Sequence, residues 1–169
     1  MILQSVTDLL QWLQDTSLAV FIHQNKWAFT TIEVVHVFAI GIMVATISVV
    51  DLRLMGLASM KRPFTDLARQ VLPATWTAFV LALLTGPLLF VSQAVDHFDN
   101  TMFRIKMLLI LVAGINMLIF ELITARGAAA WDVKPLPPPA ARLAGAISIG
   151  CWLLVIVFGR LTGFTMPQQ

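Results

Sequence analysis

Charged side chains are scarce in this sequence. Asp, Glu, Lys and Arg make up 12% of its 169 residues, whereas soluble globular domains carry about 25%. Hydrophobic residues reach 59% and the mean hydropathy is +0.87, so the composition excludes a soluble globular domain and predicts a lipid bilayer as the surroundings. The 11 basic residues are too few for a patch that holds a nucleic-acid backbone, and nucleic acid is therefore not an expected partner.

Cysteine is nearly absent. The one cysteine, Cys151, lies inside an apolar run, which excludes a disulfide framework, a CxxC redox pair and a thiolate metal cluster within the chain. Basic residues are missing from residues 1–25 as well, although a secretory signal needs a basic start before its apolar run. We therefore expect the N-terminal segment to be retained.

Four apolar segments are each long enough to cross the hydrocarbon layer, which takes about 20 residues of helix. They cover residues 27–50, 74–95, 102–123 and 144–164. Helices are the expected form, because lipid cannot satisfy the unpaired edges of strands. The sequence therefore predicts an all-α membrane protein, with a single membrane domain over residues 1–169 built as a four-transmembrane-helix bundle.

Residues 1–25 precede the first span and place apolar residues at near-helical spacing, with Asp8 and Asp15 on other faces. This pattern predicts an amphipathic interfacial helix on the outer surface. One side of the membrane collects most of the basic residues, namely Arg53, Lys61, Arg62, Arg69, Arg126, Lys134 and Arg142. Because basic segments stay in the cytoplasm, we expect a multi-pass protein of the bacterial inner membrane with both termini in the periplasm.

Ionisable side chains inside the spans are few, and each costs about 2.5–3.5 kcal/mol to insert. Glu33 and His36 lie three residues apart and so share a helix face. Lys106 lies at a similar depth in the third span, because both odd-numbered spans run in the same direction. We therefore expect Glu33, His36 and Lys106 to form a polar site that opens to the outside.

Further polar residues lie deeper in the same spans. Asp51, Arg53 and Glu121 share a depth near the inner ends, where Arg53 would neutralise two carboxylates in a structural charge cluster. Asn116 lies between the two clusters, near the middle of the membrane, and is a further candidate for cofactor binding. The alternative interpretation is that all these residues only set helix packing and register.

Two redox cofactors suit the outer site. A haem b needs two axial ligands from facing elements, and His36 with His97 is the pair that the sequence allows; these two residues are also the candidate metal ligands. A quinone would accept hydrogen bonds from His36 and Lys106, while Glu33 carries the proton. The run 33–36 also matches the Glu-x-x-His element of dimetal bundles, but the second copy that such sites require is missing.

The first and third spans resemble those of a family of small uncharacterised bacterial four-span inner-membrane proteins. The matching pieces are the Glu-x-x-His element at 33–36, Asp-Leu-Arg-Leu-Met-Gly at 51–56 and Phe-Arg-Ile-Lys-Met at 103–107. The likeness covers most of the chain and implies the four-span architecture and the polar positions, without a particular reaction. A looser likeness to cytochrome b561-type and copper-resistance membrane proteins departs at the histidines, because two-haem cytochromes need four inside the membrane and this chain has 3 in all.

These features favour an accessory or redox-linked membrane subunit. The alternatives are a cofactor-free structural or assembly subunit of a membrane complex and, third, a small-solute or metal transporter. Other membrane or periplasmic subunits are the expected partners, because the amphipathic start and the proline-rich stretch 135–139 suit docking to other chains. Gly86 and Pro87 inside the second span predict a kink, but the paired interruptions typical of transporters are missing.

Overall fold

The computed structural model describes residues 2–132 and 136–166, and these residues form helices and no strand. In chain order the helices are α1 (Ile2–Gln14), α2 (Ser17–Gln24), α3 (Lys26–Met55), α4 (Phe64–Val91), α5 (Ala94–Asp99), α6 (Thr101–Ile119) and α7 (Pro139–Thr165). A π turn (Phe120–Thr124) and a 3-10 turn (Ala125–Ala130) extend α6. Four of these elements are long and apolar enough to cross a membrane, which confirms the predicted all-α bundle of four transmembrane helices.

Most of the apolar surface of these four long helices is not covered by protein. In the most apolar window of each one, the share of residues buried inside the protein runs from 6% to 28%. Soluble monomers rarely expose apolar patches larger than roughly a few hundred Å², so a surface of this extent needs lipid as its solvent. The chain is therefore a multi-pass membrane protein.

The long helices alternate in direction, so each end of the bundle collects two helix starts and two helix ends. We call the end that carries α1, α2 and α5 the terminal end, and the end that carries residues 56–63, 131–132 and 136–138 the loop end. At the terminal end, Asn100 Nδ2 donates to Thr165 Oγ1 over 2.8 Å and Val95 N donates to Gln14 Oε1 over 3.2 Å. These bonds tie α5 to the neighbouring helices.

The segment predicted as one interfacial helix folds as two, α1 and α2. The chain bends before Thr16, whose Oγ1 accepts a hydrogen bond from Ala19 N at 3.4 Å and caps α2. Leu10 and Ile22 are buried, whereas Trp12 is 64% exposed. The two helices therefore lie over the terminal end with an apolar side against α3, α4 and α5.

At the loop end, α4 begins at Phe64, within the stretch that the sequence leaves between the first two spans. The carboxylate of Asp132 accepts hydrogen bonds from Thr65 N at 2.8 Å and from Thr65 Oγ1 at 2.6 Å, which stabilises an early first turn. Arg53, fully buried near the end of α3, donates to the carbonyls of Arg62 and Asp132 at 3.1 and 3.0 Å. These polar contacts hold the segments of the loop end together.

α3 is the centre of the packing. It contacts α4 and α7, while α6 packs on α7; α4 and α6 do not pack closely on each other over the residues that the structure describes. At the crossing of α3 and α7, a Cβ at Gly145 would lie 2.8 Å from the main-chain oxygen of Asp51 and 3.1 Å from Leu54 Cβ. A side chain at Gly145 would therefore force the two helices apart.

We expect Gly145→Ala to destabilise the bundle by about 1–3 kcal/mol, because the added methyl group meets main chain that cannot move aside. Gly150→Ala on the same helix is the matched control: its Cβ would meet nothing within 4 Å, and the helix propensity of alanine makes the change neutral or slightly stabilising. Thermal unfolding in lipid nanodiscs, followed by circular dichroism, measures both variants. Equal stability of the two would contradict a close crossing at Gly145.

Candidate functional site

His36 reaches from α3 to α4 in the half of the bundle nearest the terminal end. Its Nδ1 lies 2.8 Å from Thr85 Oγ1. The Thr85 hydroxyl donates its own hydrogen to the Leu81 carbonyl at 2.7 Å, so its oxygen accepts from the imidazole. The Ala82 carbonyl, 3.4 Å from the same hydroxyl, is a second acceptor near the ring. The bond from the Thr85 hydroxyl to Leu81 thus assigns the proton of neutral His36 to Nδ1 and leaves the lone pair on Nε2.

Gly86 gives this imidazole its space. A Cβ at Gly86 would lie 3.2 Å from His36 Cε1 and 3.9 Å from each ring nitrogen. Thr85, the preceding residue, is buried at 8% exposure, so the ring lies between a buried hydroxyl and a glycine main chain. The run 85–87, which predicts only a kink from the sequence, therefore also positions His36. Sequence analysis missed Thr85 and Gly86 as site residues.

Lys106 of α6 extends toward the same region. Its stem passes Gly159 of α7, where a Cβ would lie 3.6 Å from Lys106 Cδ, and its ammonium lies 4.5 Å from the centre of the Phe103 ring. Its charge acts on both His36 and His97. Lys106 is half-buried and makes no hydrogen bond or ion pair with the residues that the structure describes. The Phe103 ring, which the Lys106 ammonium contacts, also contacts the His97 ring at 5.0 Å.

His97 comes from the short helix α5. Its Nδ1 donates to the Gln93 carbonyl at 2.8 Å, which leaves a lone pair on Nε2 as in His36. Burial lowers the pKa of His97 below its ordinary value and the charge of Lys106 adds to this, although the bond to Gln93 and the charge of Asp96 oppose the shift. His97 is therefore a neutral imidazole near neutral pH.

Aromatic rings close this region toward the terminal end. Phe90 of α4 stacks on Phe103 of α6, with ring centroids 5.6 Å apart and planes inclined by 17°, and the His97 ring meets Phe103 edge to face at 5.0 Å. Below these rings α4 and α6 are not closely packed over their described residues. The group formed by His36, Thr85, His97 and Lys106, which we call the imidazole-ammonium site, therefore has an aromatic roof on the side toward the terminal end.

Two of the predicted site residues lie outside this group. Glu33 has an exposed side chain and makes no hydrogen bond or ion pair with the residues that the structure describes. Asn116 Nδ2 donates to the Ala144 carbonyl at 2.9 Å, which joins α6 to α7 about 15 Å along the helix from Lys106. The structure thus brings His36, Lys106 and His97 together and leaves Glu33 and Asn116 apart from them.

The residues predicted as a structural charge cluster have three different surroundings. Asp51 is buried at 3% exposure on the side of α3 that faces Ser148 of α7. Arg53 donates to main-chain carbonyls of the loop end. Glu121 is exposed in the π turn that follows α6. Each of the three side chains is therefore placed by its own segment of the bundle.

The metal-binding capacity of the described residues rests on few groups. Within 2–132 and 136–166, no three His, Cys, Asp or Glu side chains come together in a way that could hold a metal ion. His36 and His97 stay a predicted pair of ligands, each with a lone pair on Nε2. The same two imidazoles accept hydrogen bonds, and Lys106 donates them, so the site suits a ligand with both a hydroxyl and a carbonyl or anionic oxygen.

Comparison with protein-family models, with curated proteins and with solved structures finds no match to this chain. The imidazole-ammonium site is therefore the basis for assigning a function.

We expect the stability of the folded protein to fall as the pH drops below about 6.5, the ordinary pKa of histidine. The unfolded chain then binds a proton at His97 while the folded chain, with its lowered pKa, does not, and the loss ends once the pH passes below the folded-state value. His97→Asn should reduce this pH dependence, because the asparagine side chain does not titrate. Its amide can still donate to the Gln93 carbonyl, so the local structure is kept. Thermal melting between about pH 5 and 8 measures both proteins; identical pH profiles would contradict the expectation.

Proposed function

We propose that this chain is an accessory or redox-linked membrane subunit whose imidazole-ammonium site binds the head group of a quinone or quinol. The observation that carries the proposal is the half-buried Lys106, which makes no ion pair with the described residues and whose ammonium lies 4.5 Å from the Phe103 ring that His97 also contacts. An uncompensated buried charge is costly, and a ligand oxygen that accepts its hydrogens offsets that cost.

The hydrogen-bond directions fit a quinol in one orientation. The Lys106 ammonium donates to one hydroxyl oxygen of the quinol, while Nε2 of His36 accepts from the hydroxyl at the other end of the ring. Because Nδ1 of His36 is engaged with Thr85, the proton of the ligand goes to Nε2. In this arrangement His36 takes the proton, a role that the sequence suggests for Glu33, which is exposed.

The location of the site favours a ligand dissolved in the bilayer. The site lies among apolar helices that could cross a membrane, and α4 and α6 are not closely packed on each other beyond the stacked rings of Phe90 and Phe103. In this proposal a quinone head on an apolar tail enters between these two helices from the lipid.

The orientation and the family are part of the same proposal. With the basic segments of the loop end in the cytoplasm, the site lies in the periplasmic half of a bacterial inner membrane and both termini face the periplasm. The family of four-span proteins that the sequence resembles shares the site residues His36 and Lys106.

We expect Lys106→Met to lower the quinone content of the protein purified in mild detergent by about tenfold or more, because a hydrogen bond to a charged group contributes about 1.5–3 kcal/mol. Thr85→Val, which removes the acceptor for His36 Nδ1, should lower it as well, whereas Thr85→Ser should keep it. Solvent extraction and chromatography of the bound quinone, per mole of folded protein, measures the effect.

Glu33→Gln is the matched control, because it removes a charge of the same helix outside the site. Quinone content equal to that of the unmodified protein is expected for this variant. A Lys106→Met protein that keeps its quinone, or an unmodified protein that binds neither its native quinone nor an added short-chain benzoquinone, would overturn the proposal and favour the cofactor-free structural or assembly subunit.

A second candidate ligand is a single haem b held by His36 and His97. Metal-ligating histidines usually donate their other ring hydrogen to an oxygen atom, and both Nδ1 atoms are placed near one, at 2.8 Å from Thr85 Oγ1 and from the Gln93 carbonyl. The ammonium of Lys106 acts on both rings, which favours an anionic ligand over a bare metal cation. A Soret band in the purified protein that disappears in both His36→Ala and His97→Ala would select haem over quinone.

A further inference from the structure

Glu33 is an acid on the outside of the bundle. It lies seven residues after the start of α3, about 10 Å along the helix axis, and its side chain is exposed. It makes no hydrogen bond or ion pair with the residues that the structure describes. An ionised group on the outer side of a membrane-spanning helix is costly and normally marks a partner or a function.

Arg160 is a base on the outside of the bundle at a similar depth. It lies five residues before the end of α7, about 8 Å from the same end of the membrane, and its side chain is also exposed. Its guanidinium lies 4.6 Å from the centre of the Phe164 ring, one helical turn nearer the terminal end. This contact leaves the donors at the edge of the guanidinium available to a carboxylate.

Both residues flank the seam between α3 and α7. Asp51, which contacts α7 through Ser148, follows Glu33 after 18 residues, about five full turns, so the two lie on the same side of α3. On α7, Gly145 touches α3. Arg160 lies later on the same helix and points about 60° away from Gly145 around the helix axis. Because α3 and α7 pack side by side, their outward sides form one surface, which we call the α3-α7 face.

Two glycines open this face to a close neighbour. A Cβ at Gly41 of α3 or at Gly163 of α7 would meet nothing within 4 Å, and both residues are exposed. The packing of this chain therefore does not require glycine at either position. Small residues on the outside of membrane helices let another helix approach closely.

We propose that a second copy of this chain packs on the α3-α7 face about a twofold axis along the bundle, so that Glu33 of each copy pairs with Arg160 of the partner subunit. A twofold interface is reciprocal: if one residue of the first copy contacts a second residue of the other copy, the same contact forms again with the two copies exchanged. The second copy therefore offers an arginine to Glu33 and a glutamate to Arg160, each at a similar depth in the membrane.

Charge reversal tests this pairing. Glu33→Arg and Arg160→Glu, each expressed alone, should weaken dimerisation by about tenfold or more, because like charges then face each other at both contacts. Co-expression of the two variants with different tags should restore dimers, since each variant chain then meets the opposite charge in the other. Förster transfer between fluorescent tags in native membranes, with pull-down of one tag through the other, measures the dimer.

Arg104→Glu, the same charge change at the terminal end of α6, is the control variant and should leave dimerisation unchanged. Recovery in the mixed sample also shows that both single variants fold. If Glu33 instead pairs with Arg160 inside one chain, the double variant would recover its stability while the mixed single variants would not dimerise, and the proposal would be wrong. An unmodified protein that stays monomeric in membranes would overturn it as well. Neither outcome bears on quinone binding, which is measured by Lys106→Met.

Discussion

The bilayer interior offers no water to a polar group, so each hydroxyl, amide and imidazole of the spans must find its partner in protein. The threonines meet this constraint by donating to the main chain of the preceding turn, as Thr85 does to Leu81 and Thr162 to Phe158. A hydroxyl whose hydrogen is used in this way offers only its oxygen to other groups. The tautomer of His36 follows from this local rule, and the reactive lone pair of the candidate site follows from the tautomer.

The number and type of helices could be predicted from the sequence because apolar length is a property of each segment alone. The helix limits could not. α4 begins at Phe64, where the carboxylate of Asp132, a residue 67 positions after Thr65, accepts from the first turn, and local spacing does not predict that distant contact. The break between α1 and α2 has a local cause, the cap at Thr16, yet continuous apolar spacing on both sides conceals it.

The candidate site was predictable in part for a similar reason. Depth along a span follows from counting residues, and it placed His36 and Lys106 at one level. Rotation around the helix is less secure: Glu33 and His36 differ by about 60°, which is enough to put one outside the bundle and the other against Thr85. His97 and the aromatic roof depend on α5, a short helix whose packing no periodicity indicates.

The distribution of charge argues against a bundle in which the polar residues only set packing. Lys106 lies inside without a neutralising carboxylate among the described residues, while Glu33 lies outside, three residues from an imidazole on which Lys106 acts. A modest rotation of α3 would bring the acid toward the base and lower the cost of both. Selection for stability alone favours that neutralised arrangement. The separated one instead keeps a hydrogen-bond donor available inside the bundle and an acceptor available on its surface, which the proposed ligand and the proposed partner chain would use.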